Sequence, residues 1–171
     1  MMHILTIVTA LAALALVCGA AIIDVVRYQI PDEISIGVLI LGIVFGIATP
    51  GFAWWSHAAA PVIMFAFGLL AFGRGWLGGG DVKLMTAIAA WAGLTSLPVV
   101  FLATSVAGGG LALIMMFRRR FAGTTAVAAT HVPYAVAIAV GTLWWLWATG
   151  GPLAPVHATG VQRPLARAIA T

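Results

Sequence analysis

Charge is what this sequence has least of. Only 12 of its 171 residues are charged, 8 Lys or Arg and 4 Asp or Glu, while 63% are hydrophobic. Soluble domains carry about a quarter charged residues, so this composition excludes an ordinary soluble fold and defines an integral membrane chain. Cysteine is nearly absent. Cys18 is the only one, which excludes an internal disulfide and a four-cysteine zinc site. Lying mid-span, it reads as a small buried hydrophobe, and Val17 before it does not suit a lipoprotein site. Motifs are missing too. There is no HExxH pair, no Walker loop, no histidine spacing for a metal, and no serine with a histidine partner in a small-residue setting. Gly73 to Gly78 fits GxGxxG by accident, because a membrane span rather than a strand precedes it. The basic residues are dispersed apart from Arg118–Arg120. They read as topological anchors on the cytoplasmic side, not as a nucleic-acid surface.

What is there is a series of apolar blocks. Residues 2–23 carry no formal charge and no basic n-region precedes them; they are long enough to span and read as a retained first helix rather than a signal peptide. Pro50-Gly51, followed by Trp54-Trp55 and His57, divides the next block into spans near 34–49 and 57–73. The Gly93 to Pro98 stretch divides the following block into a short span near 82–94 and one near 97–117, and a sixth lies near 131–149. The expected fold class is therefore an all-α membrane protein of about six transmembrane helices. Residues 1–150 form a single domain and 151–171 a loosely ordered tail.

Orientation follows from the basic residues. Arg27, Arg74 with Lys83, and Arg118–Arg120 all fall on the same side of a six-span arrangement, which the positive-inside rule makes cytoplasmic. Both termini and the tail are then outside, with Arg163 and Arg167 mildly against the rule. Trp54, Trp55, Trp91, Trp144, Trp145 and Trp147 map toward the outer interface and Trp76 toward the inner one, as an aromatic belt does.

Against this background the acidic residues are informative. Asp24 closes the first apolar run, and Asp81 follows Gly78-Gly79-Gly80 and opens the fourth span. A carboxylate at bilayer depth costs roughly 3 kcal/mol or more unless solvated or paired, which makes it a functional candidate. The topology brings both to the cytoplasmic face, although they are distant in sequence. Two close carboxylates do not both ionise readily, so the pair shares a proton. One member then activates water while the other polarises a carbonyl. The structural alternative is that both merely end helices. It suits Asp81, at a helix N-terminus, better than Asp24, at a C-terminus. The glycines before Asp81 let backbone approach closely, whether that of a substrate or of a neighbouring helix.

Asp24-Val-Val-Arg27-Tyr-Gln-Ile30-Pro31 and Gly78-Gly79-Gly80-Asp81-Val82-Lys83-Leu84 resemble two motifs of the prepilin peptidases, the second being their GxGD motif. Val132-Pro133-Tyr134 resembles a third, weaker block. The resemblance implies that Asp24 and Asp81 are the catalytic aspartates of an intramembrane aspartic peptidase. Such an enzyme removes the short basic leader of type IV or Flp-type prepilins at the cytoplasmic face of the bacterial inner membrane, without a cofactor. Its expected partners are a prepilin and the lipid bilayer. Lacking the cysteine tetrad of the larger enzymes, the chain looks like the short type serving Flp (tight adherence) pili, without N-methyltransferase activity. Asp32 stands where the family often has Asn, adding a third nearby carboxylate. Arg27, Gly78, Gly80, Lys83, His131 and Tyr134 are candidates for substrate contact or tuning of the pair. Arg27 and Lys83 read equally as anchors, and His131 and Tyr134 as packing residues. Asp32 and Glu33 read as caps of the second span. Two rival readings are open. One is a proton-coupled transporter or pilus-assembly subunit using Asp24 and Asp81 as proton sites. The other is a signal-peptide-peptidase-like enzyme, against which Ile30-Pro31 argues.

Overall fold

The computed structural model describes residues 2–122 and 133–150. Among these the secondary structure is helical, with no strand. The helices are α1 (Met2–Arg27), α2 (Asp32–Ala48), α3 (Trp54–Gly73), α4 (Gly79–Ala122) and α5 (Tyr134–Thr149). Ile4–Arg27, Trp54–Gly73 and Gly79–Arg118 are long and apolar enough to cross a membrane. The helices α2 and α5 have 17 and 16 residues, at or just below the lower end of the roughly 17–25 residues of spanning helices. Large apolar side chains such as Ile22, Val62 and Val106 are exposed on the outside of the bundle, as a hydrocarbon surround permits and water does not. The tail and His157, Arg163 and Arg167 lie outside the described residues.

Helix α1 packs on α2 and α5, both of these pack on α4, and α3 packs on α4. The core sits between them, around Val17, Val38, Leu84 and Ile138. Small residues let the backbones meet. A Cβ placed on Gly141 of α5 would lie 2.7 Å from the Thr104 amide nitrogen and 2.8 Å from its Cα, so this crossing is backbone against backbone, as in other membrane bundles.

The expected break in the third apolar block is present, but at one residue. Helix α4 is interrupted at Gly93, with φ 65° and ψ 174°, a conformation essentially restricted to glycine. Pro98, expected as part of the break, lies within the second half of the helix. The interruption leaves polar backbone groups without intrahelical partners, and the start of α3 supplies them. Ser56 Oγ accepts the Leu94 N–H at 2.9 Å, and His57 Nδ1 lies 2.8 Å from the Ala90 carbonyl oxygen. A carbonyl only accepts, so His57 carries its proton on Nδ1.

Two of the expected belt tryptophans are core residues. Trp91 and Trp145 are buried, and Trp91 Nε1 donates to the Val38 carbonyl at 2.8 Å, tying α4 to α2. Trp54, Trp55, Trp76, Trp144 and Trp147 are exposed. Replacing Trp91 by Phe leaves the Val38 carbonyl without this donor and opens space beside Phe45, whose ring centroid is 5.2 Å away. The expected loss is about 2 kcal/mol, measurable as a shift in denaturant midpoint in detergent. An unchanged midpoint would remove the indole from the tie between these helices.

Candidate active site

Helix α1 does not stop before Asp24. It continues to Arg27, whose positive charge suits the negative end of the helix dipole. The Tyr28 N–H closes the last turn on the Asp24 carbonyl at 2.8 Å. Tyr28 itself has φ 52°, a left-handed conformation that costs a non-glycine residue about 1 kcal/mol. Asp24 is 6% exposed. Its Oδ2 accepts the Ala135 N–H at 3.0 Å. Ala135 lies in the first turn of α5, whose own N-cap, Pro133, makes no side-chain cap bond. Asp24 therefore caps a helix other than its own. Considered only within α1, it sits at the wrong end for such a role; the tertiary fold supplies the right one.

Asp81 lies in the first turn of α4. Its Oδ2 accepts the Gly78 N–H at 3.1 Å, the reach-back of a capping box from the third helical position. The side chain is half-buried. Gly80 admits the preceding turn of the chain: a Cβ there would stand 3.0 Å from Cβ of Ile30. At Gly80 the space is taken chiefly by the side chain of Ile30, whose backbone oxygen would lie 3.5 Å from such a Cβ.

These two segments wall a cavity of about 830 Å³. Asp24 and Asp81 both line it. Of the other candidates, Arg27, Gly78, Gly80 and Tyr134 also line it. Lys83 is not among the lining residues. Its Nζ meets both carboxylate oxygens of Asp32, at 2.8 and 2.7 Å. Nor does Asp32 cap α2: the N-cap is Pro31, without a side-chain cap bond, and Asp32 is the first helical residue. Its carboxylate, like that of Glu33, favours the dipole of that first turn. His131 and Val132 lie outside the described residues.

Sequence reasoning missed the aromatic part of the wall. Phe72, Trp76 and Tyr28 line the cavity, with the Arg74 guanidinium 5.4 Å from the centre of the Trp76 ring. Their closeness to Gly78 and Arg27 in sequence was the available signal. Among the described residues no group of three or more His, Cys, Asp or Glu could hold a metal ion.

Apolar helices that bring carboxylates from α1 and α4 to one cavity define a membrane protein with a two-acid cleft. Its residues 9–114 match the type IV leader peptidase family, and the chain belongs to that family. It is similar to a prepilin leader peptidase/N-methyltransferase of Aeromonas hydrophila, 33% identical over 104 residues covering 55% of this chain and 36% of that protein. A protein of the same description from Escherichia coli (strain K12) is 29% identical over 133 residues, 74% of this chain and 59% of the relative. A third, from Stutzerimonas stutzeri, is 29% identical over 136 residues, 74% of this chain and 45% of the relative. The chain thus spans between about a third and three fifths of the length of these curated relatives. No solved structure matches it.

Proposed function

We propose that this chain is an aspartic endopeptidase that removes the leader of type IV or Flp-type prepilins. The observation that carries the reading is the meeting of Asp24 and Asp81 at one cavity within a chain of the leader peptidase family. One carboxylate takes a proton from water, and the water oxygen bonds to the scissile carbonyl carbon. The protonated carboxyl hydrogen-bonds the carbonyl oxygen as negative charge develops there. Collapse breaks the C–N bond and the amine leaves with a proton from the pair. Neither role is assigned to either residue, since the proton belongs to both. A backbone N–H on one oxygen of each acid, from Ala135 and from Gly78, orients the carboxylates for this work.

In this reading residues 1–150 form the peptidase domain, with six spans, both termini outside and the cavity open to the cytoplasm at the bacterial inner membrane. The substrate helix lies in the lipid while its leader enters the cavity. The chain acts without a cofactor and without methylating the product, as the short Flp-type enzymes do.

The test is incubation of the purified protein, in lipid, with pilin-like precursors. The expected product is a precursor shortened by its leader, read by mass spectrometry. Precursors left intact by a folded, inserted protein that carries protons across vesicles would overturn the reading in favour of a transporter.

A further inference from the structure

The two walls of the cavity are separate pieces of chain. Asp24 belongs to the wall made by the end of α1 and the Tyr28–Pro31 turn. Asp81 belongs to the wall made by Gly78–Gly80 and the start of α4. The distance between the acids is set by how these pieces are tied. One tie is the apolar seating of Ile30 on Gly80, a close contact without directional character. A second is polar: Lys83 Nζ bridges both oxygens of Asp32.

The roots of that ion pair are rigid. Lys83 stands between Val82 and Leu84, both buried, and Val82 in turn packs on Gly68 of α3. Asp32 begins α2, which is anchored one and two turns later by buried Ser35 and Val38. The side chains themselves are 51% and 57% exposed. An ion pair so exposed adds little to global stability. Its consequence is local, because it joins the first residue after the Tyr28–Pro31 turn to a residue two positions beyond Asp81.

We infer that the Asp32–Lys83 pair is a positioning latch that fixes the separation of the two acid-bearing walls. The inference rests on the peptidase reading; Asp32 itself lines the cavity and Lys83 does not, and the pair is assigned a positioning role rather than a catalytic one.

The test has two arms. In the first, Asp32→Asn and Lys83→Met each lower kcat for leader removal by about tenfold, the scale of a small misplacement of reacting groups. KM changes little in both. The reversed pair, Asp32→Lys with Lys83→Asp, recovers most of the loss, which a substrate-contacting role for either residue would not allow, while an unchanged denaturant midpoint in the single variants separates positioning from a merely structural role. In the second arm, spin labels are placed at Gln29 and Leu77, one on each wall, in a Cys18→Ser background. The narrow distance distribution broadens in either single variant and narrows again in the reversed pair. Single variants with wild-type kcat, or a reversed pair no better than the singles in both arms, would overturn the latch. A wild-type protein that cleaves no precursor overturns the peptidase reading instead, and the label distances still decide whether the latch exists.

Discussion

Asp24→Asn and Asp81→Asn each reduce leader removal by about 10⁴-fold, the upper range for removal of a general acid–base group. The two losses are not additive, because either change destroys the same shared-proton unit. Asn is the discriminating replacement. It keeps an oxygen that can accept the Ala135 N–H at position 24 and the Gly78 N–H at position 81, so both helix starts retain their caps. Asp24→Ala removes the acceptor as well and costs about a further 1 kcal/mol of stability. The informative measurement is therefore the ratio of precursor to product for the Asn variants, alongside their helical content and membrane insertion. A normal rate of processing in Asp24→Asn would end the two-acid mechanism.

Much of the path to this site was legible in the sequence. Charges and Pro-Gly pairs mark where apolar blocks end, because a polar residue at bilayer depth is costly whatever its neighbours. Asp24 and Asp81 were conspicuous for the same reason. What was not legible is which apolar residues face inward. In water, a core-facing stripe repeats with the helix period because the other face is polar. Here lipid is as apolar as the core, so Trp91 and Trp145, both buried, look no different in sequence from exposed Trp144 and Trp147. The cross-helix polar links were hidden for another reason. Asp24 to Ala135 and Asp32 to Lys83 join residues far apart in sequence, and nothing local distinguishes such an acid from one that serves its own helix. The apolar run ends at residue 23 but α1 continues to Arg27, because an amphipathic last turn at the membrane face needs no apolar residues to stay helical.

Gly93→Ala lowers stability by on the order of 3 kcal/mol, the sum of a glycine-only backbone conformation and a crowded site. A Cβ there would stand 2.9 Å from His57 Nε2 and 3.0 Å from Ser56 Oγ. Those atoms have little freedom to withdraw. Ser56 Oγ holds the Leu94 N–H and His57 Nδ1 holds the Ala90 carbonyl, on either side of the break. Moving them to admit a methyl group leaves both ends of the interruption without partners. Gly51 is the proper comparison. Its φ is also positive, at 74°, but nothing lies within 4 Å of an added Cβ, so Gly51→Ala costs only about 1 kcal/mol, from the backbone alone. Unfolding midpoints of the two variants in the same detergent separate crowding from conformation. The break lies about 18 Å along the helix from Asp81, at 1.5 Å per residue. Folded Gly93→Ala protein should therefore cleave with an unaltered pH dependence while unfolding at lower denaturant. Equal losses for the two glycines would show that the α3 clamp is not what holds the break in place.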